Sequence, residues 1–320
     1  MKKIITIVAG DPNSINSELI FKTWKNLNII IKKKIILIGN YNLICEQIKK
    51  LKFNINLSKI NHIDDIQPLN SLKILDFSLR FKDCFNVSKK DASKYVIGCL
   101  NYAHTLCKQG KINAFINCPI DKDLIKKKGI YGVTEFLGKK NFSSKFSEVM
   151  FLHNKKLSVV PITTHLKIKD ISKNIKEKLI VKKVKTLLFY YQKLFNKKPK
   201  IAILGLNPHN SELEKNSEEV KKIIPAIKKL KKYSIINGPM VADNFFKDEY
   251  KKYDVVVGMY HDQVLIPFKN FFKLDAINVT LGLDYIRVSP DHGTAKDIIL
   301  KKRGDPKSLI KCVEFLSKLK

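Results

Sequence analysis

Short apolar, β-prone runs alternate with amphipathic stretches along nearly the whole chain. Ile4–Val8, Lys34–Ile38, Leu72–Asp76, Ala114–Asn117, Leu157–Pro161, Ile201–Leu204, Val255–Val257 and Ala276–Val279 read as strands, because each is a brief run dominated by aliphatic residues. Between them, Ala92, Tyr95, Val96, Cys99, Leu100, Ala103 and Leu106 recur at helical spacing and predict one buried helix face. Ser88 and Asp91 are placed to form a capping box at its start. Ile175, Leu179, Val184, Leu187, Leu188 and Tyr191 predict a second long helix. Asn216 is placed to cap a third, with Glu219 at its N3 position, ending before Tyr233. Such alternation predicts an α/β fold in which parallel-rich sheets are covered by helices on both faces. A chain of 320 residues exceeds the usual single core. No repeat or Pro/Ser-rich linker interrupts it, so two α/β lobes joined without a flexible hinge are expected.

Composition narrows the functional classes. The net charge of +32 invites a nucleic-acid partner, since clustered cations neutralise phosphates. Only Arg80, Arg287 and Arg303 are arginine among 61 basic residues, however, and the lysines are scattered, as in Lys32–Lys34, Lys126–Lys128 and Lys228–Lys232. A base reader would use guanidinium forks. The charge therefore reads as solvated lysine faces, not a nucleic-acid footprint. No apolar run is long enough to span a bilayer. The short run after Lys2-Lys3 meets Asp11-Pro12 and reads as a first core strand, not a signal peptide, which predicts a cytoplasmic protein. Six cysteines without a CxxC pair predict reduced, mostly core-facing thiols.

The candidate chemistry follows apolar runs. Neither a dinucleotide glycine fingerprint nor a P-loop follows the first strand; the sequence there is Gly10-Asp-Pro-Asn-Ser. This excludes a dinucleotide-binding domain of the Rossmann type. His165, His209 and His261 each lie just past a predicted strand, 44 and 52 residues apart. Strand carboxyl ends are where α/β sheets bind ligands, and neutral imidazoles suit a first-row divalent ion. Satisfied polar histidines at loop starts are the competing reading. Arg287 stands where composition favours lysine, which suggests a need for its planar fork on phosphate or carboxylate; a buried structural ion pair is the alternative. Lys269 and Asn278 are near enough in sequence to supplement an anion site. Asp291-His-Gly-Thr-Ala295 reads as the opening of a helical segment, with Gly293 letting backbone N–H groups approach a phosphate. An ordinary helix cap competes with that.

Nine blocks in order carry a resemblance. They are Ala9-Gly-Asp-Pro12, Ile116-Asn-Cys-Pro-Ile-Asp-Lys122, Gly132-Val-Thr-Glu-Phe-Leu137, Thr163-Thr-His165, Gly205-Leu-Asn-Pro-His209, Gly238-Pro-Met-Val-Ala-Asp243, Met259-Tyr-His-Asp-Gln263, Asn278-Val-Thr-Leu-Gly-Leu283 and Ile286–Ala295. Together they resemble the 4-hydroxythreonine-4-phosphate dehydrogenase family of pyridoxal phosphate biosynthesis. The Asp-His-Gly-Thr-Ala loop is also similar to the cofactor loop of isocitrate and isopropylmalate dehydrogenases, which implies a two-lobed α/β/α fold of that group.

The resemblance implies residues 1–130 with 290–320 as one lobe. Residues 131–289 would form a second, carrying the metal and substrate site and a homodimer interface with a shared active site. It implies NAD or NADP as cofactor and Zn²⁺, Mg²⁺ or Co²⁺ held by His165, His209 and His261. It further implies substrate contacts from Thr134, Lys269, Asn278 and Arg287, and cofactor contacts from His292, Gly293 and Thr294. Asp243 and Asp262 are candidate acid/base groups. The implied reaction oxidises 4-phosphooxy-L-threonine, a small phosphorylated amino acid, to a β-keto acid that loses CO₂ to give 3-amino-2-oxopropyl phosphate. The alternatives are a dehydrogenase of another four-carbon phosphorylated hydroxy acid, or a decayed scaffold binding polyanions. The sequence departs from the family pattern at four places. Val133 replaces a histidine of Gly-His-Thr-Glu, and Asn210-Ser-Glu-Leu-Glu214 replaces a glycine-rich turn. Val264 and Asp284 replace a glycine and a proline.

Overall fold

Each apolar run becomes a strand because, sandwiched between helices, both of its faces can be buried, and the amphipathic stretches supply those helices. The computed structural model describes residues 4–65, 70–126, 132–139 and 146–319. Lys2-Lys3, Lys127-Lys128 and the lobe boundary expected at 130 lie outside them. In chain order the elements begin with β1 (Ile5–Val8), α1 (Asn16–Asn26), α2 (Ile29–Lys32), β2 (Ile35–Gly39) and α3 (Tyr41–Lys50). Next come β3 (Leu57–Ile60), β4 (Leu72–Asp76), α4 (Lys89–Lys108), β5 (Ala114–Asn117) and α5 (Val133–Gly138). Then follow β6 (Val149–His153), β7 (Ser158–Pro161), α6 (Ile168–Asn174), α7 (Glu177–Phe195) and β8 (Ile201–Leu204). The remainder is α8 (Ile224–Leu230), β9 (Ile236–Met240), α9 (Ala242–Phe245), β10 (Val255–Gly258), α10 (His261–Phe272), β11 (Ile277–Leu281), β12 (Ile286–Pro290) and α11 (Lys307–Lys318).

The chain divides into two compact units, Met1–Phe136 with Tyr285–Lys320, and Leu137–Asp284. Strands of the first unit run in the order β3-β4-β2-β1-β5-β12, and every pairing is parallel. Helix α4 buries the seven residues named from its periodicity. Ser88 Oγ accepts from Asp91 N–H at 3.2 Å and donates to the Asp91 carboxylate at 2.6 Å.

The second unit runs β11-β6-β7-β10-β8-β9. Its β7, β10, β8 and β9 are parallel, whereas β6 is antiparallel to both β11 and β7. Strands β7, β8 and β10 are buried throughout, and Val256, Leu152, Val159, Leu204, Val264 and Phe268 pack in one core.

Three helix expectations need correction. The buried stripe of α7 uses Ile180, Val184, Leu187 and Tyr191; Leu188 is only partly buried, and Ile175 ends the preceding helix. The helix expected after Asn216 is preceded by Ser217, whose Oγ accepts from Val220 N–H at 3.3 Å. Its first turn, Glu219–Ile223, is π-helical, with Ile224 N–H bonded to Glu219 O. Pro225 follows directly and has no N–H for a regular i→i−4 bond, which favours the wider turn. Finally, Asp291–Ala295 opens only a three-residue 3₁₀ turn, Lys296–Ile298, after a left-handed Ala295. A turn this short offers a phosphate no helix N-terminus. Among the described residues no helix is long and apolar enough to cross a membrane, and all six cysteines are free thiols.

Candidate active site

Strands β7, β10 and β8 are neighbours, so their carboxyl ends present three loops side by side in the second unit. Each loop carries one of the three histidines. His165 follows β7, His261 opens α10 directly after β10, and His209 follows β8. The rings of His165 and His261 stand 5.6 Å apart between centroids, tilted by 40°. Two imidazoles sharing one tetrahedral ion at ordinary Zn–N lengths would hold their centroids roughly 5 Å apart. Asp262 Oδ1 lies 2.6 Å from His261 Nδ1, so with a proton on Nδ1 the ring donates to the carboxylate and its Nε2 lone pair is left for a ligand. The donor chemistry of this pair fits a divalent ion. A cleft of about 290 Å³ surrounds it, lined by Thr164, Leu166, Ile168, Ile171 and Tyr260 besides the histidines and Asp262.

His209 is turned elsewhere. Its exposed ring has Nδ1 3.5 Å from Glu212 Oε1. Among the described residues no three His, Cys, Asp or Glu side chains gather closely enough to hold an ion. The structure thus brings His165 and His261 together and leaves His209 apart. The backbone from His209 to Leu213 is left-handed at every residue, with φ between 44° and 58° and no glycine. Such a run is costly for L residues, whose Cβ crowds the following carbonyl.

The expected anion contacts fall in both units. In the first, Arg287 is buried on β12 and its Nε–H donates to Asn117 Oδ1 at 2.5 Å. Burial lowers the guanidinium from its usual value to about 10. Thr134 is buried in α5 beside Val133, itself 9% exposed. In the second unit, Lys269 is exposed on α10, and Asn278 on β11 has a buried Oδ1 with no hydrogen-bond partner among the described residues.

The expected cofactor loop belongs to the first unit. His292 Nδ1 lies 2.9 Å from Gly293 O, and a Cβ built on Gly293 would meet none of the described residues within 4 Å. Thr294 O accepts from Ile15 N–H at 3.2 Å. Lys296 Nζ contacts Asp121 at 2.5 Å and stands 3.9 Å from the buried Asp11, whose carboxyl is pushed up by burial. Asp243 is exposed in α9 and accepts from Asn244 N–H at 2.8 Å.

Two side chains prove to organise the loops: Glu219, which the sequence places at a helix N3 position, and Gln263, to which it assigns no role. Glu219 is fully buried and accepts N–H bonds from Leu206 at 2.8 Å and Asn207 at 2.9 Å. Gln263 Oε1 accepts from Met259 N–H, and its Nε2 donates to Gly205 O, each at 2.7 Å. Pro225 within an otherwise helical run was the sequence signal that Glu219 could be turned out of regular register.

The family model described as pyridoxal phosphate biosynthetic protein PdxA matches residues 31–316. A 4-hydroxythreonine-4-phosphate dehydrogenase of Sulfurihydrogenibium sp. is 37% identical, over 99% of this chain and 98% of its own. A protein of Oceanobacillus iheyensis, provisionally named a D-threonate 4-phosphate dehydrogenase, is 33% identical over 98% of this chain and 96% of its own. The solved structure of the Klebsiella pneumoniae 4-hydroxythreonine-4-phosphate dehydrogenase superposes with a TM-score of 0.83 at 26% identity, covering 99% of each chain.

Proposed function

This chain belongs to the family described as pyridoxal phosphate biosynthetic protein PdxA, and on that premise we propose that it oxidises 4-phosphooxy-L-threonine with NAD⁺ or NADP⁺ in the cytoplasm. The product is a β-keto acid that loses CO₂ to leave 3-amino-2-oxopropyl phosphate. The observation that carries the reading is the His165–His261 pair, 5.6 Å between ring centroids at neighbouring strand ends.

In this reading His165 and His261 hold a divalent ion, with Asp262 fixing the tautomer of His261. A divalent ion held there would supply positive charge beside the alcohol oxygen and the ketone formed from it. Arg287, cationic below about 10, binds an anionic group of the substrate. Its bond to Asn117 fixes the plane of the fork. Thr134, Lys269 and Asn278 are the further substrate contacts, and His292, Gly293 and Thr294 hold the cofactor. The open space beside Gly293 supports that last assignment.

A homodimer completes the site, with His209 contributed from a partner copy. Supporting this, Ile168 is 82% and Ile266 67% exposed, and Leu166 is also open. Ile168 and Leu166 line the cleft of the histidine pair. Exposed aliphatic side chains beside a polar site suit an interface. The second unit is thus the metal-binding and dimerising lobe.

A second reading is favoured by Val133, which stands where the family carries histidine, together with the likeness to the Oceanobacillus protein. Under it the substrate is another four-carbon phosphorylated hydroxy acid. The deciding experiment follows NAD(P)H formation with either 4-phosphooxy-L-threonine or D-threonate 4-phosphate, each with Zn²⁺, Mg²⁺ or Co²⁺. Turnover of the first supports the main reading, and turnover of the second alone supports the other. Reduction of neither cofactor under any condition removes both.

A further inference from the structure

One hydrogen-bonded path runs across the three histidine-bearing loops of the second unit, and it passes through Gln263 and Glu219. Beside β7, Thr163 donates to Met259 O twice, from N–H at 3.1 Å and from Oγ1 at 2.8 Å. Met259 N–H donates to Gln263 Oε1, and Gln263 Nε2 donates to Gly205 O. The Thr163–His165 and Met259–His261 loops are thereby linked to the loop leaving β8. That loop is gripped further along by Glu219. One of its oxygens takes the Leu206 and Asn207 N–H groups, and the other takes Asn207 Nδ2 at 3.0 Å. His209 lies two residues beyond Asn207. The path leaves little room beside it: a Cβ at Gly205 would fall 3.2 Å from Glu219 Oε1, and one at Gly258 3.0 Å from Gln263 Oε1.

We infer that Gln263 and Glu219 are positioning residues, Gln263 for the loops bearing His165 and His261 and Glu219 for the loop that offers His209 to a partner copy, and that through these loops they set the affinity of the ion site. The inference rests on the metal reading above. Past the strand ends β7 and β10 stay joined by Thr163 N–H to Met259 O, whereas the pairing of β10 with β8 stops at Val257 and Ile203, so beyond that point the Gln263 side chain links the two loops. Gln263 suits this because one amide both accepts and donates, joining an N–H to a C=O. Glu219 suits it because a buried carboxylate forms stronger bonds to N–H groups than a neutral acceptor. Groups that orient metal ligands in this way typically change metal affinity or activity by about 10- to 100-fold when removed.

The test is Co²⁺ binding to the full-length, metal-free protein, followed by the visible absorption of the ion and by chelator competition, with melting temperature measured alongside. Wild type should bind, and His261→Ala should not. Gln263→Leu removes both bonds. Gln263→Glu keeps the bond to Met259 N–H but loses the donor to Gly205 O, and as an isostere it guards against misfolding of the first variant. Each should weaken Co²⁺ binding by roughly 10- to 100-fold and alter the absorption band, while KM for the phosphorylated substrate changes far less than kcat. Glu219→Gln should do the same more mildly. Wild-type affinity and an unaltered band in both Gln263 variants would overturn the positioning inference alone. Absence of Co²⁺ binding in wild type would overturn the metal reading and this inference together.

Discussion

Replacing Ser211 and Glu212 by glycine should stabilise the protein. Both lie in the left-handed run His209–Leu213, with φ of 49° and 44°. An L residue held there costs about 1–2 kcal/mol. Glycine avoids that cost but loses about 0.5–1 kcal/mol more backbone entropy on folding. The net gain is therefore about 0.5–1 kcal/mol for each position, and about 1–2 kcal/mol for Ser211→Gly with Glu212→Gly together. Little else is lost. Glu212 is exposed, and its approach to His209 joins side chains 69% and 81% exposed, where an ion pair contributes little. Asn210 would gain less, because asparagine tolerates this conformation. At about 2–4 °C per kcal/mol for a unit of this size, the double variant should melt roughly 4 °C higher. Urea unfolding should show a raised midpoint at unchanged slope. Melting at or below the wild-type temperature in both single variants and the double would refute the reasoning, and would mean the turn is held without strain.

Three other outcomes are expected. His153 is held unprotonated by burial, its pKa lowered from 6.5 to about 4. An unfolded chain takes up that proton near 6.5, so the contribution to stability is complete above 6.5 and declines as pH falls towards about 4. It should cost up to about 2 kcal/mol between pH 7 and 5, and urea midpoints of His153→Gln should lack that part of the slope. Arg287→Lys removes the fork and its Nε bond to Asn117, and should raise KM for the phosphorylated substrate by about 10- to 100-fold; a KM within about twofold of wild type would exclude Arg287 from binding. Val133→His should raise kcat/KM for 4-phosphooxy-L-threonine by about tenfold if the pocket still suits it, whereas a loss would favour the second substrate.

The parallel-rich architecture was legible because strands buried on both faces leave uninterrupted apolar runs, as in Val255–Val257 and Ile201–Leu204. Nothing in the sequence pattern pairs the strand Val149–His153 with the run Leu157–Pro161. The link between them is a tight turn closed by Asn154 N–H to Leu157 O at 3.0 Å, without the Asn-Gly or Asp-Gly signature. His165 and His261 could be placed at strand ends from sequence. Their closeness could not, because it depends on β7 and β10 being neighbours, a fact of topology. Glu219 looked like a capping residue because its local spacing is that of a cap; the π-turn before Pro225 points it inward. The left-handed turn was hard to read from the sequence, since Asn210 alone tolerates it and Ser211, Glu212 and Leu213 do not favour it.

The position of β10 between β7 and β8 has a kinetic consequence. Strands β7 and β8 leave the ribosome first, and β10 follows β7 only about a hundred residues later, yet β10 must become the middle strand. The two earlier strands have to remain apart, apolar on both faces, until their neighbour arrives. Non-local parallel pairing of this kind is slow and leaves strand edges exposed meanwhile. Because His261 arrives with β10, the paired imidazoles come into being only when that last insertion is complete. Until then a nascent chain offers its apolar edges to chaperones and to other copies of itself.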